Sequence, residues 1–396
     1  MKKNPDAAVI GAGIAGTATA YYLSKAGLSV ELIETREPAW GASGRNPGFL
    51  WLQTKQAGLP MAFSLAGRKF AEKLASHLPS YGFRACGGLI IYRDESLSEV
   101  AQKFADDRCA AGLPVRHIGM SEVSELCPCI GPAVSGAVWN PLDAHQDTRR
   151  LVTLLAREAE ASGCRIRRGE RAARLTALGE RCTGLVLKTG EEICAGLTVV
   201  AAGPWSNVLL ATIGLEIPMV PMRFEAAETA TAPFRIEPVV CGQALFKFFN
   251  TSGMEPSQLP SHPAEAIRKD LRFTEQIAQF PDGSLQFGCA FETGSTDDRP
   301  TTAGQGMAAT VMSDNIAGFA TLPLVRSWAG IVGQTADGLP VVDARPGPEG
   351  LAVNAGHFFG NLVGALSGKM LADICTGREP IFSPDAFRLS RFKGKS

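Results

Sequence analysis

Net charge, long apolar stretches and a cysteine framework are all missing from this sequence. Its 39 basic and 39 acidic side chains cancel, so electrostatics gives no reason to expect nucleic acid or an anionic membrane as a partner. No stretch approaches the ~20 uninterrupted apolar residues that a membrane helix needs. The ten cysteines are scattered, which is typical of free thiols in a reducing compartment. We therefore expect a cytoplasmic protein with no membrane span, no metal site and no nucleic-acid partner.

Glycine, by contrast, is abundant, and three of the 43 glycines form the motif GAGIAG at residues 11–16. The motif lies between a predicted strand and a predicted helix. In such a motif the first glycine permits a tight turn, the second lets the backbone approach a pyrophosphate, and the third lets helix and strand pack closely. Glu34 ends the next predicted strand about 20 residues on, where an acid can bind a ribose hydroxyl. The sequence therefore predicts a dinucleotide-binding strand–helix–strand unit.

Three later segments favour FAD over NAD as the dinucleotide. The small residues of GASGRNPG at 41–48 can lie along an extended ligand, and a buried strand runs into a small-residue turn at 199–206. The turn at 356–364 opens the last predicted helix, whose N-terminus would stabilise the negative charge of a reduced flavin. The residues predicted to contact FAD are Gly11, Gly13, Ile14, Ala15, Gly16, Glu34, Thr35, Ala42, Ser43, Arg45, Asn46, Ala202, Gly203, Trp205, Gly330, Gly356, Gly360, Asn361, Leu362 and Val363.

The spacing of these segments predicts the domain organisation, because they occur early, in the middle and at the end of the chain. We expect an α/β, Rossmann-like FAD-binding domain assembled from the discontinuous segments 1–84, 146–219 and 326–396. An α+β domain with a mostly antiparallel sheet, built from 85–145 and 220–325, would be inserted between them and would contact substrate or a partner.

The order of the motifs resembles the D-amino-acid oxidase, glycine oxidase and sarcosine oxidase superfamily. The resemblance covers nearly the whole chain and implies a two-domain flavoprotein. Such enzymes move a hydride from the carbon beside an amine to flavin N5, and the imine product hydrolyses. The motifs that carry the resemblance are GAGIAG, Glu34, GASGRNPG, VVAAGPWS, IPMVPMR at 217–223, WAGIVGQTADGLPVVD at 328–343, and AGHFFG at 355–360.

Three positions depart from the pattern that the resemblance implies for substrate binding. Val332 stands where single-chain glycine and D-amino-acid oxidases carry an arginine that clamps the substrate carboxylate. A flavin-proximal lysine is expected at about Gly364, and a second arginine at about Trp51. These three residues are candidate substrate contacts, and their identities favour a larger, N-substituted amino acid over a small free one.

The apolar residue at position 332 is shared with β subunits of heteromeric sarcosine-oxidase-type enzymes. The β subunits of bacterial opine (octopine/nopaline) dehydrogenases are the most similar, and proline, hydroxyproline or D-amino-acid dehydrogenases are alternatives. This resemblance implies a larger flavoprotein α subunit, a small iron–sulfur subunit, and an FMN at the subunit interface that His145 would contact. An electron-relay and assembly subunit and a hydroxy-acid oxidoreductase are the other candidate functions.

His357 is the candidate catalytic residue, because it lies beside the predicted flavin-binding glycines. It could deprotonate a substrate amine if it lies within hydrogen-bond reach; the alternative is a structural hydrogen bond. Lys55, Arg223 and Arg326 are further candidates for binding a substrate carboxylate. A phenylalanine cluster at 246–249 would either cover the pocket or pack within a sheet face.

Overall fold

The computed structural model describes residues 4–78, 81–248, 260, 262–267 and 271–393. The strands are β1 (Ala7–Ile10), β2 (Val30–Glu34), β3 (Phe49–Leu50), β4 (Gly88–Tyr92), β5 (Arg116–Gly119), β6 (Gly136–Asn140), β7 (Ala144–His145), β8 (Arg165–Arg168), β9 (Ala172–Leu178), β10 (Arg181–Leu187), β11 (Glu192–Cys194), β12 (Leu197–Val200), β13 (Met219–Thr229), β14 (Val239–Gly242), β15 (Arg272–Gln279), β16 (Leu285–Thr293), β17 (Leu324–Thr335), β18 (Val341–Asp343) and β19 (Leu351–Ala355).

The described α-helices lie between or after these strands in the chain. They are α1 (Ile14–Lys25), α2 (Leu59–Ala75), α3 (Ser98–Ala110), α4 (Met120–Leu126), α5 (Thr148–Ala161), α6 (Ser206–Leu210), α7 (Ala244–Phe248), α8 (Thr302–Asn315) and α9 (Gly360–Cys375). Over the described ranges, none of them combines the length and the apolar character that crossing a bilayer requires.

A six-stranded sheet forms around the N-terminal strand, in the order β18-β19-β12-β1-β2-β8. β1 is fully buried and pairs in parallel with both β2 and β12, so the fingerprint turn after β1 lies at the carboxyl edge of the sheet. Strands from the start, middle and end of the chain therefore meet in one sheet. Parallel strands buried on both faces give the short apolar runs that identified them in the sequence.

An eight-stranded sheet forms the second layer, in the order β17-β13-β16-β15-β14-β4-β6-β5. Its neighbouring strands are antiparallel except for the β14–β4 pair. A three-stranded sheet has the order β11-β10-β9, and β3 pairs with β7 in a two-stranded sheet. The predicted fold class, a Rossmann-like unit of discontinuous segments with a separate, mostly antiparallel sheet, is confirmed.

One predicted domain limit needs correction. The sequence assigns residues from 326 onward to the FAD-binding domain, but β17 pairs with β13 along its whole length, from Met219 opposite Thr335 to Thr229 opposite Leu324. The stretch 326–335 therefore belongs to the eight-stranded sheet. Its motif was assigned by resemblance, and no local pattern shows which sheet a strand joins. The other domain limits stay predictions.

Candidate active site

The fingerprint turn between β1 and α1 is closed by contacts that leave no room for side chains. Gly11 has φ +103°, and a Cβ on it would lie 2.5 Å from the carbonyl oxygen of Ala201. A Cβ on Gly16 would lie 1.9 Å from the carbonyl oxygen of Gly11. Two of the three motif glycines are thus required by the backbone itself, because any side chain would push β1, α1 and the end of β12 apart.

The segments predicted to hold the cofactor meet at the N-terminus of α1. Gly13 precedes the helix and provides no side-chain cap, and Ser43 Oγ accepts a hydrogen bond of 2.9 Å from the Ile14 N–H. A Cβ on Gly360 would lie 3.7 Å from Ile14 Cγ2, so the start of α9 lies beside the same turn. Exposed N–H groups and the helix dipole favour an anion at this position.

Glu34 fits the role of a ribose ligand. Its Oε2 accepts a 2.8 Å hydrogen bond from the Ala12 N–H, and its Oε1 accepts one of 2.8 Å from the Arg36 N–H. These bonds hold the carboxylate at the end of β2, next to the fingerprint turn, and Thr35 follows it in an exposed position. The glycine turn, the helix N-terminus and this oriented acid together suit a dinucleotide such as FAD.

Asn46 shapes the second glycine loop. Its amide nitrogen donates to the carbonyl oxygens of Ala42 and Ser43, and its Oδ1 accepts from the Gly48 N–H at 2.9 Å. The Asn46 side chain also lines the cavity described below. The loop is therefore held in a curve around the N-terminus of α1, as its predicted place along the cofactor requires.

Arg45 does not point where the sequence predicts. Its guanidinium donates to the Ala329 carbonyl oxygen at 2.7 Å and forms a 3.2 Å ion pair with Asp298. The Trp328 indole N–H donates back to the Arg45 carbonyl oxygen. The prediction that the Arg45 side chain donates to a phosphate is therefore corrected, because this side chain links the second glycine loop to β17.

The third and fourth segments also lie at this edge of the sheet. A single 3-10 turn, Gly203–Trp205, follows Ala202, and Trp205 is 44% exposed. The remaining predicted contacts are placed as follows: Ala15, Leu362 and Val363 are buried, Gly330 lies against the Phe224 ring, Gly356 lies against Thr335, and Asn361 donates to the Phe49 carbonyl oxygen.

An apolar cavity of about 80 Å³ opens between the glycine loops and the eight-stranded sheet. None of the described residues that line it carries a charge. They are Asn46, Pro47, Phe49, Trp51, Phe224, Cys241, Leu245, Gln276, Cys289, Phe291, Val332, Phe358, Phe359 and Asn361. A concave, aromatic site with a few amide groups beside a cofactor segment is the usual form of a substrate pocket.

Two of the three predicted substrate residues, Trp51 and Val332, line this cavity. Gly364 does not, and its assignment is corrected. A Cβ on it would lie 2.5 Å from Ile14 Cγ2, while one on Gly368 would lie 2.6 Å from Ala18 Cβ. Both glycines therefore serve the close packing of α9 against α1, which a lysine at position 364 would prevent.

His357 is placed for a structural role. Its Nε2 lies 2.8 Å from Ser367 Oγ, which itself donates to the Gly364 carbonyl oxygen, so the imidazole N–H donates to Ser367. Burial lowers the pKa of His357 to about 4, and its Nε2 is already occupied by the bond to Ser367. The predicted catalytic role is thus not supported, and the alternative of a structural hydrogen bond matches the geometry.

His145 is fully buried and cannot reach an interfacial FMN. It belongs to β7, which pairs with β3, and its ring packs edge-on against Phe280 with 4.7 Å between centroids. Burial lowers the pKa of His145 to about 3. The burial of this side chain gives the predicted FMN contact no support, because no imidazole lies at the surface here.

His145, which is buried, and His357, which is half-buried, should make the fold sensitive to acid. They stay neutral in the folded chain, whereas the unfolded chain protonates them near pH 6.5, so stability is complete above that pH and falls as pH drops. Each should cost about 2 kcal/mol of unfolding free energy between pH 7 and pH 5. Urea unfolding at the two pH values should show a smaller loss for His145→Gln, and the wild-type loss for exposed His77→Gln. An unchanged loss in His145→Gln would contradict this account.

Several cavity residues were not anticipated from the sequence. Phe224 and Phe291 come from neighbouring strands, and Cys241, Gln276 and Cys289 lie across three adjacent strands of the same sheet. No local motif marks them, since only strand pairing brings them together. Asp143 lies behind the cavity wall. Its position two residues before His145 was the one sequence feature that could have pointed to it.

Comparison with known proteins shows the family of the chain. The model of the DAO family, described as FAD dependent oxidoreductase, matches residues 6–374. A glycine oxidase of Pseudomonas aeruginosa is 26% identical over 385 residues, covering 95% of this chain and 96% of that protein. The structure of glycine oxidase from Geobacillus kaustophilus has a TM-score of 0.84 at 24% identity, with 99% of this chain and 100% of that one covered.

A third comparison agrees in fold. The structure of L-proline dehydrogenase from P. horikoshii has a TM-score of 0.81 at 20% identity, covering 100% of both chains. At such identities the structural likeness speaks for the fold alone, whereas the family match spans most of the sequence. The chain therefore belongs to the DAO family of FAD-dependent oxidoreductases.

Proposed function

We propose that this enzyme oxidises the CH–NH bond of a secondary amine or N-substituted amino acid, with an opine-like compound as the preferred class. The observation that carries the proposal is the cavity beside the cofactor segments, whose described lining is aromatic and uncharged. Bound FAD supplies the acceptor for the hydride that leaves the substrate carbon. The names of the relatives, glycine oxidase and L-proline dehydrogenase, support an amine as the donor.

The lining also bears on substrate size. A small zwitterion such as glycine would bring its carboxylate against Phe224, Phe291 and Val332, and an unpaired charge in apolar surroundings is costly. An amine with an apolar chain or ring can instead place that part against these rings and keep its charged groups outside the cavity. Proline and hydroxyproline, which are cyclic secondary amines, are the alternative substrates on the same argument, followed by D-amino acids.

A heteromeric assembly is the second part of the proposal. β17 is an edge strand of the eight-stranded sheet, and it begins with Leu324 and Val325, which are 59% and 60% exposed. An open apolar edge suits a stable partner. We propose a larger flavoprotein α subunit and a small iron–sulfur subunit as partners, with an interfacial FMN held by groups other than His145. An electron-relay role would follow if the chain reduced its flavin only within that complex.

The experiment is an anaerobic visible spectrum of the FAD-loaded chain, alone and with co-expressed partners, during titration with candidate substrates. Octopine, nopaline, proline and hydroxyproline should bleach the flavin band, and sarcosine and glycine should do so far less. Tetrahydrofuran-2-carboxylate is a matched control for proline, because oxygen replaces the NH group. Bleaching by lactate or another hydroxy acid instead of amines would overturn the proposal, and bleaching chiefly by glycine would overturn the preference for larger amines.

A further inference from the structure

The segment just after β3 holds several buried polar atoms that lack a hydrogen-bond partner. They are Trp51 Nε1, Gln53 Oε1, Thr54 Oγ1 and Lys55 Nζ. Buried polar groups in native proteins are nearly always satisfied, so an unsatisfied set in one segment requires an explanation. Trp51 lines the cavity, and Lys55 Nζ lies against Phe359, which also lines it.

Lys55 is the charged member of the set. It is 6% exposed, and its Nζ lies 2.7 Å from the ring centroid of Phe359, another cavity residue. The amine is thus one aromatic side chain away from the cavity. An ammonium group there would have three N–H donors and no acceptor among the described protein groups.

Asp143 is the charged group that acts on Lys55. It is fully buried and accepts hydrogen bonds from the Leu52 N–H at 2.7 Å, Gln53 Nε2 at 2.7 Å and Asn140 Nδ2 at 3.0 Å. A Cβ on Gly88 would lie 2.6 Å from both Asp143 Oδ2 and the Trp51 ring. The carboxylate and the Trp51 ring are therefore neighbours behind the cavity wall.

Burial disfavours charge on both groups. It lowers the pKa of Lys55 well below its ordinary value and raises the pKa of Asp143 to about 7. Of the other charged and titratable groups nearby, Arg108 donates to the Lys55 carbonyl oxygen and pairs with Asp107, while burial raises the pKa of the Cys241 thiol, which stays neutral. Burial therefore favours the neutral amine of Lys55, while Asp143 is a carboxylate above about pH 7.

These two groups suit a proton-carrying cation better than an anion. A buried amine whose neutral form is favoured has little positive charge to offer a substrate carboxylate. The Asp143 carboxylate favours a positive charge in its surroundings, and the six aromatic rings of the cavity also favour a cation. The same carboxylate favours the protonated form of Lys55 after proton uptake.

We propose that Lys55, supported by Asp143, takes up the proton that the substrate ammonium must lose before hydride can leave the adjacent carbon. This inference rests on the proposed function, since only an amine substrate brings that proton. An N–H bond of the substrate breaks, a new N–H bond forms on Lys55 Nζ, and the positive charge moves from the substrate to Lys55. The transfer requires the Phe359 ring, which lies against Nζ, to move aside while the substrate occupies the cavity.

The test is the anaerobic rate of flavin reduction between pH 6 and pH 10, measured for wild type, Lys55→Met and Asp143→Asn with the best amine of the panel above. Wild type should speed up through neutral pH to a plateau. Lys55→Met should be about 100-fold slower near pH 7, the usual size of general-base catalysis. It should recover at alkaline pH, where the substrate is neutral without help, and its substrate dissociation constant should stay close to that of wild type.

Control variants separate this role from others. Lys103→Met, on the exposed face of α3, should match wild type at every pH, and Asp143→Asn should show the same alkaline shift if Lys55→Met does not fold. A weaker dissociation constant at all pH values, confined to carboxylated amines, would mean that Lys55 binds a carboxylate and would overturn the proposal. An unchanged pH profile would overturn it too, whereas failure of every amine to reduce wild type would refute the proposed function itself.

Discussion

Gly11→Ala is expected to destroy FAD retention and to lower the free energy of unfolding by about 3 kcal/mol. The new Cβ would lie 2.5 Å from the carbonyl oxygen and 2.9 Å from the carbonyl carbon of Ala201, which are backbone atoms that cannot rotate away. The φ angle of +103° adds strain for any residue with a side chain. The clash can be relieved only if β1 and β12 separate where the fingerprint turn meets α1. The N–H groups of the anion site should then lie too far from a bound phosphate to contact it.

Gly41→Ala is the matched control, because it makes the same change in the other glycine loop. Gly41 has φ −73°, and a Cβ on it would meet nothing within 4 Å. Flavin content after gel filtration and urea unfolding would be measured for both variants. Gly41→Ala should keep wild-type flavin content, whereas Gly11→Ala should lose it by about 100-fold in affinity, which corresponds to roughly 2.7 kcal/mol. Full flavin content in Gly11→Ala would show that the turn is more tolerant than its contacts indicate.

The fingerprint unit was predictable because its signals are local. A short apolar run, three spaced glycines and Glu34 at the end of the next strand lie within one stretch of 28 residues, 7–34. Two of the contacts that require these residues lie inside that stretch: the Gly11 carbonyl oxygen leaves no room for a Cβ on Gly16, and Glu34 bonds to the Ala12 N–H. The parallel sheet follows from the same runs, since strands buried on both faces carry few polar residues.

Long side chains were less predictable than backbone turns. Arg45 follows a phosphate-type loop, yet its partners Ala329 and Asp298 lie more than 250 positions away in sequence. A guanidinium reaches several alternative acceptors, and sequence does not rank them. The Arg45 side chain therefore lies against β17, whereas Ser43 of the same loop bonds to the start of α1, and the cofactor contacts of the loop stay a prediction.

Two residues that were predicted from the family pattern have other surroundings than expected, for a related reason. Gly364 was matched to a lysine position, but its neighbour is Ile14 on α1. His357 was predicted to be catalytic because it lies beside the flavin-binding glycines, but its ring contacts Ser367. Trp51 and Val332 do line the cavity, and their role as substrate contacts stays a prediction. Whether such a residue reaches the cavity depends on the direction of its side chain. That direction is set by the packing of the surrounding elements, which no short motif encodes.

Arg223→Met is expected to lower the free energy of unfolding by about 3–5 kcal/mol, because it breaks a buried ion pair and leaves one partner charged. The guanidinium is 3% exposed and lies 2.5 Å from both Glu225 Oε1 and Glu292 Oε2, and it also donates to the Arg299 carbonyl oxygen. Glu225 is itself 2% exposed and would keep only its hydrogen bonds from Thr301 and Gln305.

Arg326→Met is the matched control for that substitution. Arg326 lies on β17, next to β13, and forms a 2.6 Å ion pair with Glu228, but its side chain is 48% exposed. Exposed pairs contribute about 1 kcal/mol or less. Urea unfolding of both variants therefore compares a buried and an exposed Arg–Glu pair on adjacent strands of one sheet. Equal losses would mean that the Arg223 cluster is not isolated from water, and the cavity wall that Phe224 provides would then depend on packing rather than on this buried charge network.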